Sequence, residues 1–476
     1  MTQMTQMTPI TRQNGMTRRT LIGAASAGLG LTALGAPAHA LPANPDVVVI
    51  GAGSAGIAAA RKLMAEGLEV VVIEAAGQIG GRAVTDTAAL GQPFDRGASW
   101  LQGPADLPHL AVARERGYGL IDHSNPRDVL YIGDRVADAR ERRARDRAWS
   151  AVHEALLGAR GDVSAGSVLP MDQDFVDVVA TWIGPMDFGV DIDQLSRQDW
   201  YAFADYDANF LVREGVGTLV AHLGAGLPVR LNTRARAVDW SGQGVRVETD
   251  AGTISARACI VTVSTGVLAA GAIRFTPDLP DTKQAAIADL PMGQLIKVGL
   301  LFDGERFGLS PNSFVSHSLD GPLPADACYY LAFPAGHDYV TGFIGGQVGR
   351  DLEREGEAAM IDYALERFVS MLGSDARRHF QRATVAAWDT NPLTLGAYSA
   401  ARPGGFSARR TLAEPLGERV FFAGEAMATP YATLVGGAHL HGERIAGQVA
   451  GLLGAPGCDG CAVRHQHRNA GQEDTP

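Results

Sequence analysis

Residues 46–56 read DVVVIGAGSAG, and they are the most informative segment for the fold class. Its first half is a nearly continuous apolar run, which is typical of a buried parallel strand. A GxGxxG turn follows at once, then a helical segment at 57–66, and then a second apolar run, VVVI at 70–73, that ends at Glu74. A strand–turn–helix–strand unit of this kind with a terminal acid indicates dinucleotide binding. The sequence therefore predicts an α/β fold that contains a Rossmann domain.

Each glycine of the turn is explained by a physical requirement of dinucleotide binding. Gly51 permits the tight turn, Gly53 lets the backbone approach a pyrophosphate, and Gly56 lets the helix pack closely against the strand. The helix N-terminus, where Ser54 and Ala55 lie, directs free N–H groups and the positive end of the helix dipole at the phosphates. We therefore expect these five residues to bind the cofactor.

The residues after the second strand identify the dinucleotide. Glu74 follows the turn by 18 residues, where a carboxylate can bind both ribose hydroxyls. Residues 75–82, AAGQIGGR, are similar to the extension of glutathione-reductase-like flavoproteins, in which a Gly-Gly-Arg turn wraps around FAD. This resemblance implies FAD rather than NAD, with contacts at Ala75, Gly81 and Arg82. The Arg82 guanidinium suits the pyrophosphate or the flavin.

Length and composition exclude several classes of protein. The chain has 476 residues, of which 46% are hydrophobic and 20% charged, so it is globular and large enough for two or more domains. With 41 Lys and Arg against 52 Asp and Glu, the net charge is −11, which argues against nucleic acid as the main partner. No later run reaches the roughly 18 apolar residues that a membrane span needs.

The first 40 residues have the pattern of an export signal. Arg18 and Arg19 precede an apolar stretch at 21–34, and residues 38–40, AHA, have the small-x-small pattern of a cleavage site. The paired arginines resemble the twin-arginine type of signal peptide. We expect cleavage after Ala40 and a periplasmic protein. The alternative is an unstructured tail with a chance arginine pair.

The four cysteines are too few for a disulfide scaffold in a chain of this length. Cys259 and Cys328 lie in apolar segments, so we expect buried free thiols there. The CxxC at 458–461 is followed by His465 and His467. In an oxidising compartment this pattern predicts a small disulfide loop, and a metal site is the alternative.

Four further blocks of sequence make the chain resemble the flavin-containing amine oxidases, the family of the monoamine and polyamine oxidases. The blocks are FDRGASWLQG at 94–103, VTVSTGVL at 261–268, Trp388 with LGAYS at 395–399, and FFAGEA at 421–426 followed by GA at 437–438. Together with the Rossmann unit they cover nearly all of residues 45–453 in the family's order. The match to the family is therefore specific, whereas the substrate is a separate question.

The resemblance implies the amine oxidase fold. In this fold a glutathione-reductase-like FAD-binding Rossmann domain is interleaved with an α+β substrate domain, and the active site lies at their interface. We expect the FAD domain at 45–104, 213–276 and 396–453, the substrate domain at 105–212 and 277–395, and a polar tail at 454–476.

The resemblance also implies further contacts with FAD. These are Gly97, Ala98, Ser99 and Trp100 beside the isoalloxazine, Val238 for the adenine, and Gly424, Glu425, Thr433 and Leu434 in the C-terminal block. Backbone N–H groups of the helix that begins near Thr433 and Leu434 would stabilise the negative charge of the reduced flavin. The alternative there is a plain helix start. No metal is expected at the site.

One lysine lies inside an apolar strand. Residues 292–302 read MGQLIKVGLLF, and burial of Lys297 is costly unless the side chain is paired or functional. The resemblance implies that Lys297 bonds through a water molecule to flavin N5 and assists reoxidation of the flavin. The alternative is a lysine at a strand edge with its ammonium in solvent.

The substrate-side residues depart from the monoamine oxidase pattern. Those enzymes tether the flavin through a cysteine in Gly-Cys-Tyr, whereas this chain has Ala397, which implies noncovalent FAD. Tyr398 and Trp388 match aromatic residues beside the substrate, but Leu434 stands where a second tyrosine is expected. Gln102 stands where several polyamine oxidases have an acid or a histidine. A purely structural role is the alternative for Tyr398, Trp388 and Gln102.

The function implied by the resemblance is oxidation of a primary or secondary amine, with a polyamine-like amine as one option. A hydride passes from the α-carbon to flavin N5, the imine hydrolyses to an aldehyde, and O₂ or a periplasmic electron acceptor reoxidises the flavin. An L-amino-acid oxidase, which needs a pocket arginine for the carboxylate, is one alternative. A non-catalytic, FAD-bound protein that binds a partner is the other.

Overall fold

The computed structural model describes residues 44–203, 206–319 and 323–454. Its strands are β1 (Val47–Ile50), β2 (Val70–Ile73), β3 (Thr85–Asp86), β4 (Phe94–Asp95), β5 (Trp100–Gly103), β6 (Leu120–Asp122), β7 (Asp128–Ile132), β8 (Arg135–Val136), β9 (Ala208–Val212), β10 (Val229–Arg230), β11 (Ala235–Asp239), β12 (Val245–Thr249), β13 (Gly252–Ala256), β14 (Ala258–Val261), β15 (Arg274–Thr276), β16 (Met292–Gly293), β17 (Leu295–Phe302), β18 (Ser313–His317), β19 (Tyr329–Ala332), β20 (Tyr339–Gly345), β21 (Phe380–Ala386), β22 (Tyr398–Ser399) and β23 (Val420–Phe422).

The α-helices are α1 (Ser54–Ala65), α2 (Pro108–Glu115), α3 (Ala139–Gly158), α4 (Val176–Thr181), α5 (Arg197–Tyr201), α6 (Val216–Leu223), α7 (Thr265–Ala269), α8 (Asp281–Asp289), α9 (Gly346–Glu355), α10 (Glu357–Leu372), α11 (Ala376–His379), α12 (Ala408–Ala413) and α13 (Val435–Leu453). A π-helix, Trp182–Phe188, continues directly from α4. None of the described helices combines the length and the apolar character needed to cross a membrane.

A five-stranded parallel sheet contains the predicted Rossmann unit. Its strand order is β10-β2-β1-β14-β23, with β1 paired between β2 and β14. Both predicted apolar strands are fully buried, because α1 and α13 pack on one face of this sheet and a second hydrophobic cluster covers the other. The predicted strand–turn–helix–strand unit is therefore confirmed.

A seven-stranded sheet forms the other large layer. Its order is β21-β17-β20-β19-β18-β7-β8, and α10 packs against it through apolar side chains such as Leu365 and Phe368. Lys297 pairs with Phe343 on one neighbouring strand and with Ala386 on the other. The alternative of a strand-edge lysine in solvent is therefore wrong, since β17 is an interior strand and Lys297 is 4% exposed.

The charged stretch after residue 137 forms α3, and most of the charged side chains in its first turns are exposed. Asp138 caps α3 in a reciprocal capping box with Glu141, which satisfies N–H groups of the first turn. The opposite side of α3 buries Ala148, Val152 and Leu156. The helix is therefore amphipathic, and it is anchored through this apolar side.

Some expectations lie outside the described residues. These are the signal peptide at 1–40, the Cys458–Cys461 pair and nearly all of the polar tail. The domain boundaries stay a prediction. The five strands of the parallel sheet all come from ranges predicted for the FAD domain, and the seven strands of the larger sheet all come from ranges predicted for the substrate domain.

Candidate active site

One large cavity connects residues of both sheets. Its volume is about 1340 Å³, which exceeds the roughly 300–1,000 Å³ of a typical small-molecule site and leaves room for a dinucleotide together with a small substrate. The predicted site residues that line it are Gly51, Gly53, Ser54, Ala55, Glu74, Ala75, Gly81, Arg82, Gly97, Ala98, Ser99, Trp100, Gln102, Lys297, Trp388, Tyr398, Gly424, Glu425, Thr433 and Leu434.

The glycine turn leaves space for a ligand to approach its backbone. Gly51 has φ +106°, a conformation that side chains other than glycine rarely adopt. A Cβ on Gly56 would lie 2.0 Å from the Gly51 carbonyl oxygen, so Gly56 permits the close packing predicted for it, although it does not line the cavity. A Cβ on Gly53 would meet no atom nearer than 3.9 Å. The turn therefore fits a pyrophosphate over Gly53.

The carboxylate of Glu74 is held in place by backbone donors. Its Oε2 accepts a hydrogen bond from Ala52 N at 2.7 Å, and its Oε1 accepts one from Ala76 N at 2.8 Å. A carboxylate has about four acceptor positions, so positions remain for other donors. Since Glu74 is buried and lines the cavity, it fits the predicted contact with ribose hydroxyls.

Glu425 connects three segments of the site. Its carboxylate accepts hydrogen bonds from Arg82 Nη1 at 2.9 Å, Ser399 Oγ at 2.8 Å and Thr433 N at 3.2 Å. Burial alone would raise the pKa of Glu425, but the charges of Arg82 and Arg409 outweigh this effect and lower it. Glu425 therefore orients Arg82, the strand that carries Tyr398, and the chain that enters α13.

A buried ion pair extends this network. Arg409 donates to both carboxylate oxygens of Asp199, at 2.6 and 2.7 Å, and also to Ser399 Oγ at 3.0 Å. Both side chains of the pair are 3% exposed. Asp199 belongs to α5 and Arg409 to α12, so the pair joins two elements that are more than 200 residues apart.

Lys297 is buried and hydrogen-bonded at the cavity. Its Nζ donates to the Gly97 carbonyl and, at 2.5 Å, to Ser99 Oγ, and it lies 5.8 Å from the centroid of the Trp100 ring. Burial lowers the pKa of Lys297 to about 8, and the negative charge of Asp95 opposes this shift. The side chain therefore changes its charge near physiological pH.

His123 positions the indole of Trp100. Trp100 Nε1 donates to His123 Nδ1 at 3.1 Å, and His123 Nε2 lies 2.9 Å from the Asn312 carbonyl oxygen. Since an indole only donates and a carbonyl only accepts, these partners assign the neutral tautomer with the proton on Nε2. Burial lowers the pKa of His123 in agreement with this assignment. The sequence contains no local signal for this role, because His123 lies outside every recognised block.

Tyr398 and Trp388 are fixed by the protein at the cavity. Tyr398 donates its hydroxyl hydrogen to the Met186 carbonyl at 2.9 Å, and burial, with the charges of Asp187 and Glu425, raises its pKa. Trp388 packs against Gly97, where a Cβ would lie 3.2 Å from the indole ring. Both aromatic residues therefore lie in the cavity wall, and their contact with a substrate stays a prediction.

Asp187 is a carboxylate in the cavity that the sequence does not reveal. It lies on the π-helix, its side chain is exposed, and it lines the cavity. Within the described residues its carboxylate has neither a hydrogen bond nor an ion pair. Desolvation by the surrounding protein raises the pKa of Asp187 to about 7. It is therefore a free acceptor for a cationic group.

Val238 does not lie where the resemblance implies. It belongs to β11, which pairs with β12 through Val247 and with β15 through Phe275, and it is fully buried. Val238 does not line the cavity, and strands on both sides flank the backbone that the resemblance assigns to the adenine. In this part of the chain Thr233, Arg234 and Ala235 line the cavity instead.

The thiols of the described chain are remote from the cavity. Cys259 and Cys328 are buried and free, as predicted, and neither lines the cavity, whereas Ala397 does. Burial raises the pKa of both thiols to about 12, so they stay protonated. In the described part of the chain no cysteine is therefore placed to form a covalent bond with a flavin.

Comparison with known proteins identifies the family. The family model for flavin containing amine oxidoreductase matches residues 54–180 and 188–450. Polyamine oxidase 4 of Oryza sativa subsp. japonica is 31% identical over 433 residues, which are 84% of this chain and 87% of that protein. Lysine-specific histone demethylase 2 of Homo sapiens is 28% identical, and the match covers 91% of this chain but 57% of that protein.

A solved structure shows the same fold. Putrescine oxidase, wild type bound to putrescine, superposes with a TM-score of 0.69 at 22% identity, and the match covers 86% of this chain and 99% of that chain. These findings confirm the predicted amine oxidase fold and FAD as the cofactor, which the glycine turn, Glu74 and the cavity volume fit. The chain belongs to the flavin-containing amine oxidoreductase family and is an FAD-dependent oxidoreductase.

Proposed function

We propose that the protein oxidises a primary or secondary amine that carries a second positive charge, as a diamine or a polyamine does. The observation that carries this proposal is the unpaired carboxylate of Asp187 in the cavity. Oxidation of the carbon next to the nitrogen gives an imine, which water hydrolyses to an aldehyde and an amine or ammonia. Relatives named polyamine oxidase and putrescine oxidase support this substrate class.

The chain's own residues hold the cofactor. The backbone at Gly53 and Ser54 and the carboxylate of Glu74 would bind the dinucleotide, and the N-terminus of α13 after Leu434 would stabilise negative charge at the ring. When bound, FAD supplies the hydride acceptor of the reaction. The absence of a cysteine at position 397 supports noncovalent binding.

Lys297 would hold a water molecule and supply a proton near the reacting atoms. An ammonium has three donors, and two of them are used by Gly97 and Ser99, so one remains. With a pKa of about 8, Nζ can release and recover this proton near neutral pH. Tyr398 and Trp388 would exclude water around the amine and orient it.

Asp187 would bind the second ammonium of the substrate. An unpaired carboxylate with a raised pKa gains from a cation that enters the cavity, since a neighbouring positive charge favours its charged form. Gln102, which also lines the cavity, is neutral and can only hydrogen-bond a substrate. Asp187 therefore supplies the charge that position 102 lacks.

The arginines of the cavity do not favour an amino acid as the substrate. Within the described residues the arginines that line the cavity are Arg82, Arg96 and Arg234. Arg82 pairs with Glu425, Arg96 lies 3.7 Å from Asp86, and Arg234 donates to the Pro392 carbonyl. Each guanidinium thus has a protein partner, whereas a substrate carboxylate needs a guanidinium of its own.

We also propose that residues 1–40 direct export and that the mature protein is periplasmic. This rests on Arg18, Arg19 and the AHA pattern at 38–40. The electron acceptor would be O₂, with formation of H₂O₂, or another acceptor in the same compartment. Sequencing the N-terminus of the exported protein tests the predicted cleavage after Ala40.

The proposed function is tested by mixing the purified flavoprotein, without oxygen, with monoamines, diamines, polyamines and L-amino acids. We expect diamines or polyamines to bleach the flavin absorbance fastest. Bleaching by amino acids alone would support the amino-acid oxidase alternative, and bleaching by nothing would contradict the proposal. Acid precipitation of the same sample should release all the flavin into the supernatant.

A further inference from the structure

The cavity reaches the surface beside a group of aromatic residues that the reaction does not use. Trp149 and His153 on α3 and Trp200 and Tyr201 at the end of α5 all line it. We call these four residues the outer aromatic cluster. They belong to the same continuous cavity as Tyr398 and Lys297.

Exposed apolar side chains lie beside this cluster. The described residues expose eight large hydrophobic side chains, and three of the eight, Leu157, Tyr201 and Tyr206, line this one cavity. Leu157 and Tyr201 are each 56% exposed. An apolar group of this kind at the opening of a cavity indicates a binding surface, because exposure to water is unfavourable unless a ligand covers it.

The rings form a preorganised wall. The His153 ring lies 5.6 Å from that of Trp149, at an interplanar angle of 27°, and 5.4 Å from that of Trp200, at 33°. Arg197 is buried and donates to the carbonyls of Leu156 and Leu157 at 2.6 and 3.0 Å. These bonds join α5 to the end of α3, so the wall exists before a ligand binds.

The positive charge of Arg197 beside the outer aromatic cluster determines which kind of chemical group can bind there. The Arg197 guanidinium lies 4.7 Å from the centroid of the Tyr201 ring. This ring thus already has a cation on its face, and a second ammonium there would be repelled. An uncharged apolar group meets no such repulsion and gains the full benefit of burial.

We propose that the outer aromatic cluster is a subsite for an uncharged apolar group, best an aromatic ring, at the end of the substrate away from the oxidised carbon. The identity of the substrate as an amine rests on the proposed function, whereas the binding of the apolar group does not. The subsite makes N-substituted amines better ligands than unsubstituted ones.

The first test uses a ligand that cannot be oxidised as an amine. N-benzylacetamide is titrated into the flavin-loaded protein, and quenching of tryptophan fluorescence gives its Kd. We expect saturable binding to the wild type that Tyr201→Ala and His153→Ala each weaken about tenfold. Leu452→Ala, which truncates an apolar side chain 51% exposed on α13 and outside the cavity, is the control and should bind as the wild type does.

The second test compares 1,4-diaminobutane with its N-benzyl derivative in anaerobic flavin reduction. We expect the benzyl group to lower the apparent Kd about tenfold in the wild type, and Tyr201→Ala to abolish most of this advantage. If the amide binds but no amine reduces the flavin, the subsite is supported and the proposed function fails. If amines reduce the flavin but the benzyl group does not lower the apparent Kd of the wild type, the subsite is overturned. It is also overturned if Tyr201→Ala and His153→Ala both keep the lower apparent Kd of the benzyl derivative.

Discussion

The indole nitrogen of Trp100 donates a 3.1 Å hydrogen bond to Nδ1 of His123, and the same indole ring lies 5.8 Å from Nζ of Lys297. A histidine with no sequence signature therefore positions the aromatic neighbour of the buried lysine. Because the other nitrogen of His123 bonds the Asn312 carbonyl, the ring cannot rotate without loss of both bonds. His123 acts through Trp100 and is a positioning residue.

Two substitutions of His123 should distinguish the effects of its two hydrogen bonds, the one with Trp100 and the one with the Asn312 carbonyl. The amide oxygen of His123→Asn can replace Nδ1 as the acceptor for Trp100, whereas the amide of His123→Gln reaches the position of Nε2 and leaves the indole without a partner. We expect His123→Gln to destabilise the protein by about 1 kcal/mol and to change the near-ultraviolet circular dichroism, and His123→Asn to restore the spectrum. Equal spectra for the two variants would show that His123 does not position Trp100.

The pH dependence of the reaction rate should reveal the titration of Lys297. Its pKa is lowered to about 8, so Nζ is charged below pH 8 and increasingly neutral above it. We expect an inflection near pH 8 in the rate of flavin reduction or reoxidation. Lys297→Met should remove the inflection and slow the affected step about 10²-fold, with FAD still bound. Wild-type rates in this variant would exclude Lys297 from the mechanism.

Lys283 provides a matched control for this measurement. Burial lowers its pKa to about 8 as well, but its Nζ donates to the carbonyls of Thr411, Leu412 and Glu414 at the end of α12, and it does not line the cavity. Lys283→Met should lower the thermal midpoint because three carbonyls lose their donor. The inflection near pH 8 should remain.

Asp187 should distinguish diamines from monoamines. Its pKa of about 7 lies above the usual value, so the carboxylate is neutral below pH 7 and charged above it. Diamine binding to the wild type should therefore strengthen as the pH rises through 7. Asp187→Asn should weaken diamine binding about tenfold or more, remove this pH dependence and leave a monoamine nearly unaffected.

The kinetics of anaerobic flavin reduction give these apparent Kd values. Glu355→Gln removes an exposed carboxylate at the end of α9, outside the cavity, and serves as the control for the change in net charge. If Asp187→Asn weakens monoamine and diamine binding equally, the carboxylate does not bind the second ammonium.

The Asp199–Arg409 pair should make a large contribution to stability. Asp199→Asn leaves the Arg409 guanidinium buried without its counter-ion, which costs about 3–5 kcal/mol. Urea unfolding followed by flavin fluorescence should show a lower midpoint and earlier flavin release, since Arg409 also bonds Ser399 beside Tyr398. Asp250→Asn disrupts an exposed pair with Arg236 and should change stability little. Equal midpoints for the two variants would contradict this account.

The features that could be predicted from the amino-acid sequence are those carried by residues close together in the chain. The apolar strands, the glycine turn and Glu74 lie within one segment, so their spacing alone predicts a Rossmann unit and a cofactor-binding edge. Lys297 was recognisable because a charge inside an apolar strand is rare enough to need a role.

The contacts between residues distant in the chain became visible with the folded structure. His123 and Glu425 take their roles from partners on other elements, Asp187 takes its role from the cavity that it lines, and Val238 lies in β11 between two other strands and outside the cavity. The physical reason is that a charge, a tautomer or a pKa depends on burial and on neighbouring groups within a few ångströms. Those neighbours are separated by tens to hundreds of residues, so the local sequence does not specify them.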